Sequence, residues 1–507
     1  MHNYTYLQIS LYHKHKASVS KCLLDDRTCE DLNMNDFFSS IDETHSCIGQ
    51  QYLYHILHYN HSSEVEQHEE LIKKLSNDKA LRDRLIATLQ KLGHSEAYSL
   101  ASIFIDSVPN LSMRELRLIF VARFLPFLFF VLAFITSTTP FLILFFLCLV
   151  LNLILHYRSK SKMQSYYFSV PQLFKLLRQA DILSKEIEFI NIRSEISQTL
   201  TALKGLKKHL SVFRLGIKLD NDVTMLAYLL TELLHIFFLT EAYSVTKAFI
   251  LLRDKKKQIE EVFCFVGLLD TLCSVSLLRE RLPYYCLPHE NSEKGKLRVE
   301  DIYHPLISNC VSNDLFLLKK SVLITGSNMA GKTSFIRAIG INLLAAKVLH
   351  TCFARTFDVP FDMQIYSAIH TFDNLIEGKS YFLEEAEWIK KLLIESQRGN
   401  CLFLLDELFK GTNTRERVAI SKAVLLALSK NGNIVFASTH DVELGDMLTA
   451  EYDQYHFCES VKNETLSFDY KLKEGVGKEQ NAIRILEIYG YPQEIIQDAR
   501  SFANMAN

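Results

Sequence analysis

Thirty-two consecutive residues, Phe124 to Leu155, carry no formal charge, and this run limits what the chain can fold into more than any other feature. An apolar stretch of that length has to leave water, either into a bilayer or into a protein interior. The turn "TSTTP", Thr136 to Pro140, divides it into two arms, Leu118–Ser137 and Pro140–His156. Each arm is near the length that a helix rising about 1.5 Å per residue needs to cross ~30 Å of hydrocarbon. Basic residues flank both outer ends, with Arg114, Arg117 and Arg123 before the run and Arg158, Lys160 and Lys162 after it. The bias of such residues toward the cytoplasmic side predicts a transmembrane helical hairpin over residues 118–157, both flanks inside and the turn outside. A hairpin buried in a soluble core would carry a polar stripe, whereas this run reads as apolar all round. The first twenty residues contain no apolar signal-peptide segment, so the N-terminus is expected in the cytoplasm.

At 507 residues the chain has room for two to four domains with cores of their own. Residues 1–117 read as helical, with apolar positions such as Ile48, Leu53, Ile56 and Leu57, then Val65, Leu71, Ile72 and Leu75 at three-and-four spacing. Residues 158–290 are again helix-rich. There "MLAYLLTELLHIFFLT", 225–240, is strongly apolar but includes Glu232 and His235, and reads as a core helix because two ionisable groups in hydrocarbon are costly. His235 reads as a packing residue, since no second ligand stands at i+4. The helical pattern from Ser244 to Arg281 hardly breaks and predicts one long lever. The prolines of "LPYYCLPHENSEKGK" end it and mark a domain boundary near residue 290. A formal net charge of −2 excludes a protein that coats nucleic acid by bulk charge, so any DNA contact has to be local. The one dense basic cluster, "RDKKK" at 253–257, reads as a solvated helix face. Eleven scattered cysteines without a C-x-x-C pair predict reduced thiols, no disulfide and no structural metal.

Beyond residue 290 short apolar runs alternate with helices, the pattern of a parallel sheet covered by helices. "SVLIT" is a buried strand, and "GSNMAGKT", 326–333, fits G-x-x-x-x-G-K-[ST]. Gly326 and Gly331 let successive backbone N–H groups turn toward phosphate oxygens, while the following helix presents its positive end. Lys332 is placed to reach the β- and γ-phosphates of ATP and Thr333 to hold Mg²⁺. The strand "CLFLLDE", 401–407, supplies the acidic half: Asp406 for the Mg²⁺ shell and Glu407 as the general base for the attacking water. A third strand, "NIVFAST", ends at His440, where an imidazole can sense the γ-phosphate.

These motifs resemble the ATPase half of the MutS family of DNA mismatch-repair proteins. "TGSNMAGKTSFIR" resembles the family's phosphate loop, including Asn328, Met329 and Ser334, and "DELFKGTNTRER" resembles its acidic strand and G-T-x-T turn. "ASTHDVEL" resembles its histidine segment, and "GKSYFLEE" its G-x-S-x-F-x-x-E signature. The resemblance implies that Ser380 reaches across a dimer to the γ-phosphate held by the other subunit, and that Tyr470, in a tail similar to the family's closing segment, helps cover the adenine. Upstream, "IDETHSCIGQQYLYHIL" looks like the start of the family's core domain, "GLLDTLCSVS" like its lever, and "YHPLI" with "VSNDL" like its lead-in to the nucleotide. The family's mismatch-reading and connector domains and a full DNA clamp are expected to be missing, and the F-x-E triplets at 382–384 and 457–459 read as chance. The expected architecture is an α/β P-loop ATPase domain of ABC type at 291–507, preceded by an all-α core and lever interrupted by the membrane hairpin. The expected function is that of a membrane-anchored, homodimeric MutS-like ATPase using Mg²⁺-ATP, with DNA as a candidate partner. The alternative is an ABC-type nucleotide-gated module or scaffold that drives a membrane partner without DNA. A transporter with its own permease is disfavoured, because two spans do not line a substrate path.

Overall fold

The computed structural model describes residues 3–17, 24–60, 64–105, 112–162, 169–192, 195–210, 233–290, 296–318, 320–360, 363–369, 381–462, 465–477 and 482–505. The chain forms two compact bodies. One comprises residues 1–20, 42–55 and 70–277; the other comprises 21–41, 56–69 and 278–507. The N-terminal region read from sequence as one helical part is therefore shared between them.

The first body is helical. Its long core helix, Lys256–Arg281, is apolar and long enough to cross a membrane, but Val262, Phe263, Val266 and Leu269 are fully buried in protein. Asp270 on this helix is buried as well. It accepts hydrogen bonds from the backbone N–H groups of His45 (2.9 Å) and Ser46 (2.8 Å) and from the Ser46 hydroxyl (2.5 Å), and so caps the helix Cys47–Leu57 from a distance in sequence. Burial pushes its carboxyl up to about 7 despite these donors. Gly49 makes the close approach possible, since a Cβ there would lie 2.0 Å from Asp270 Oδ2. The single lever expected from Ser244 to Arg281 is interrupted. Thr240–Asp254 ends at Lys255, where φ is −121°, and Lys256–Arg281 starts afresh. Arg253 lies in the last turn of Thr240–Asp254, where the carbonyl end of a helix attracts a cation.

The apolar run forms the helices Met113–Ala122, Leu125–Thr136 and Thr139–Lys162. Ser112 and Glu115 make a capping box at its start, and Ser137 turns between the arms with φ at +52°. Phe134 (82 % exposed), Ile135 (72 %) and Leu147 (64 %) face outward, an unusual area of uncovered hydrocarbon for a soluble surface. The second arm is not apolar all round. Cys148, Asn152, His156 and Ser159 form a buried stripe at helical spacing, which the sequence hides because only one face of the arm is involved.

The second body holds a six-stranded sheet in the order β10-β9-β4-β8-β7-β6. Its strands are β4 (Ser321–Thr325), β6 (Gln364–Ala368), β7 (Cys401–Asp406), β8 (Ile434–Thr439), β9 (Tyr452–Lys462) and β10 (Thr465–Glu474). All neighbours are parallel except β10 with β9. Strands β4, β7 and β8 are buried along almost their whole length, as continuous apolar runs with helices on both faces require. A smaller sheet pairs β1 (His289–Glu290), β5 (Thr356–Val359), β2 (Lys296–Ile302) and β3 (Asn313–Leu318) in that order. The edge strand β6 is covered by side chains from the N-terminal residues of this body. The Asn60 amide both donates to Ile365 O (3.3 Å) and accepts from Ile365 N (3.0 Å), and buried Asp31 accepts from Ser367 Oγ (2.5 Å) and Ile369 N (2.9 Å). An open edge would otherwise present unpaired backbone groups. Asn60→Ala should therefore destabilise this body by about 1–3 kcal/mol, the cost of leaving buried polar groups unmet, which thermal unfolding of the full chain would register.

Candidate active site

Register brings the candidate residues together. Thr325 at the end of β4 pairs with Thr439 of β8, and Asp406 of β7 pairs with Ser438, so the loops that follow all three strands leave the same edge. Ligands of open α/β sheets gather at that carboxyl edge. The loop after β4 is tight. Gly326 has φ +128°, and a Cβ there would press to 2.5 Å from Phe457 O; Gly331 has φ +107° and directly precedes the helix Lys332–Leu349. Between them Asn328–Ala330 form a single 3₁₀ turn, with Met329 largely exposed.

Lys332 is fully buried, and its ammonium donates to Gly326 O at 2.5 Å. Burial lowers its pKa to about 8, against the upward pull of the Glu407 and Asp406 carboxylates. The Thr333 hydroxyl donates to Asp406 Oδ2 at 2.8 Å, while Ser438 Oγ bonds the other Asp406 oxygen. Glu407 follows with φ +51°, its backbone N–H donating to Ser438 O at 3.1 Å. Its carboxylate meets His440 Nε2 at 2.7 Å on one oxygen and Lys410 Nζ at 2.7 Å on the other. Burial alone would raise this carboxyl, but the hydrogen bonds from His440 and Lys410 outweigh it and hold the group at about 2. Arg417 grips Asp441 through two bonds of 2.9 and 2.6 Å and so steadies the turn that carries His440.

Ser334 and Gly331 border a cavity of about 430 Å³ whose walls include Ile302, Ile307, Met329 and Tyr470. The Tyr470 ring lies over Gly331, with Cδ1 3.3 Å from where a Cβ would stand. The structure thus brings Gly326, Gly331, Lys332, Thr333, Ser334, Met329, Asp406, Glu407, His440 and Tyr470 to one region. The Asn328 side chain and Ser380 lie outside the described residues. Three contributors were missed from sequence: Lys410, Ser438 and Glu459, whose carboxylate accepts from Ser327 Oγ at 2.7 Å. The "FCE" triplet containing Glu459 is therefore at the site edge. Only the position of Lys410, three residues after Glu407, hinted at its partner.

A mixed α/β domain with a glycine loop between a central strand and a helix gathers a lysine, a hydroxyl and carboxylates at its strand ends. Residues 322–506 match the family model described as MutS domain V. It is 29% identical over 267 residues to the DNA mismatch repair protein MutS of Thermotoga petrophila, covering 49% of this chain and 32% of that protein. The DNA mismatch repair protein MutS of Aquifex pyrophilus is 32% identical over 220 residues, covering 42% of this chain and 26% of its own length. That of Thermus thermophilus is 30% identical over 209 residues, covering 41% and 26% respectively. The chain thus matches between about a quarter and a third of the length of these curated relatives.

Proposed function

We propose that the chain is a membrane-anchored MutS-like ATPase that binds Mg²⁺-ATP at the carboxyl edge of β4, β7 and β8 and closes on it as a dimer. The observation that carries this reading is the convergence of Lys332, the Thr333–Asp406 pair and the Glu407–His440 pair, within a stretch matching MutS domain V. Residues 326–333 act as the phosphate loop, and the cavity lined by Ile302, Ile307 and Tyr470 takes the base. A hydroxyl and a carboxylate 2.8 Å apart are suitable hard oxygen ligands, so Thr333 and Asp406 would hold Mg²⁺. When bound, the ion neutralises charge on the β- and γ-phosphates. Lys332 releases Gly326 O and turns its ammonium to the phosphates. Glu407 accepts the proton of the attacking water, and His440 holds that carboxylate in place. Ser380 of a second chain completes the γ-phosphate shell. The exposed apolar hairpin over 118–157 inserts in the cytoplasmic membrane, leaving the ATPase domain and both termini in the cytoplasm.

Lys332→Ala is the direct test. It should weaken Mg²⁺-ATP binding roughly 10²-fold, the worth of a charge-assisted contact of ~3 kcal/mol, and unchanged affinity would refute the site. Affinity should also depend on pH with a definite sign. The ammonium is the binding form and its pKa in the free protein is about 8, so below pH 8 affinity stays level. Above pH 8 a proton must be taken up on binding, and Kd should rise about tenfold per pH unit. A titration from pH 7 to 9.5 that shows no rise contradicts this role for Lys332.

The shared site predicts complementation. Lys332→Ala and Ser380→Ala chains, each inactive alone, form a heterodimer with one doubly damaged site and one intact site. ATPase activity should return on mixing; demonstrated heterodimers without recovery would refute the trans arrangement. A second reading, a nucleotide-gated module that drives a membrane partner without DNA, is favoured by the net charge of −2 and the uncovered hairpin. ATP-dependent binding to homoduplex, mismatched and branched DNA, titrated with salt, separates the two, because phosphate contacts weaken steeply with ionic strength.

A further inference from the structure

The buried stripe on the second hairpin arm has a specific occupant. Asn152 Nδ2 donates to the backbone carbonyl of Phe237 at 2.9 Å, the Phe145 and Phe237 rings lie 6.1 Å apart, and His156 Nε2 stands 3.6 Å from Glu241. The helical turn of residues 233–238 therefore runs beside Thr139–Lys162, in the same direction. It stops at Leu239, fully buried with φ +46°, and the chain restarts as Thr240–Asp254. Such a break strips the last carbonyls of their helical partners. Water would satisfy them at a soluble surface, whereas here the buried Asn152 amide meets the Phe237 carbonyl. His235 is likewise satisfied locally, its Nδ1 2.6 Å from Thr240 Oγ1. What faces outward is hydrocarbon: Leu233 is 62 % exposed and Leu234 57 %, and Phe238 is partly exposed. Asn152 lies six residues before Arg158, about 9 Å of helix rise, so the break sits on the hydrocarbon side of that cationic flank.

We propose that residues 233–239 form a third membrane-embedded element, docked on the second arm and covered by lipid acyl chains at Leu233, Leu234 and Phe238. The inference rests on the membrane reading of the hairpin and departs from the expectation of a core helix over 225–240. Irregular backbone at membrane depth persists only where protein groups satisfy it, and the Asn152–Phe237 bond meets that condition. The outward side chains continue the apolar surface of the hairpin, which makes lipid the occupant rather than a soluble partner.

The chain contains one tryptophan, Trp388, in the α/β body, so single tryptophans can be introduced against a constant background. Full-length Leu147→Trp, Leu234→Trp and Phe238→Trp chains are reconstituted in phosphatidylcholine vesicles with or without brominated acyl chains. Positions 234 and 238 should lose added emission to the same extent as 147. Quenching at 147 without quenching at 234 and 238 overturns the third element and leaves the hairpin intact. No quenching at any of the three refutes the hairpin reading itself. Quenching at 234 that appears only when the protein is diluted to monomers assigns the face to a second copy and also overturns the proposal. Asn152→Leu should abolish quenching at 234 while sparing 147; if 234 stays quenched, the Asn152 bond does not hold the element.

Discussion

Glu407→Gln should hold Mg²⁺-ATP with near wild-type affinity and turn it over about 10²–10⁴-fold more slowly. The substitution keeps the shape of the side chain and its left-handed backbone, φ +51°, while removing the group that takes the water proton. The carboxyl is held at about 2, so it is ionised throughout the working pH range, and His440 and Lys410 occupy one oxygen each. Catalysis requires one of those oxygens to turn to water. Lys410, whose ammonium is a strongly hydrated point charge on a flexible stem, is the one that lets go. Filter binding of labelled ATP beside phosphate release would separate the two effects. Normal turnover in the variant would remove Glu407 from the role of base, and lost binding would make it structural.

The second large effect concerns the hairpin. Leu147→Arg places a charge on an outward face midway along the second arm, where Leu147 is 64 % exposed. A charged residue at the centre of a spanning helix costs ~3 kcal/mol on insertion scales, a shift of roughly 10²-fold between inserted and uninserted chain. The variant should leave the alkaline-washed membrane pellet, whereas Phe316→Arg, at a position of the α/β body that is 57 % exposed, should change nothing. Retention of Leu147→Arg in the pellet, or wild-type protein recovered in the supernatant without detergent, would contradict insertion.

Short-range chemistry was readable in the linear chain. Gly326 and Gly331 flank a turn that needs positive φ, and "SVLIT" and "CLFLLD" are apolar enough to be central strands whichever neighbours they acquire. The same holds for residues 124–155, whose composition demands removal from water in any fold. These features depend on local sterics and on solvation, and both act on a segment before it finds its partners.

Pairings between distant residues were not readable. That Asn60 and Asp31 seal strand β6, that Asp270 caps a helix some 220 residues earlier, and that Ser438 and Lys410 each hold one of the site's carboxylates are consequences of register and packing. A buried amide or carboxylate is tolerated once specific donors surround it, and a linear pattern does not show which donors will arrive. The partner of His235 was hidden for the same reason. Thr240 satisfies His235, and Asn152 satisfies the broken helix next to it. The apolar run settled that part of this chain must leave water; which polar groups could go with it depended on the neighbours that folding put beside them.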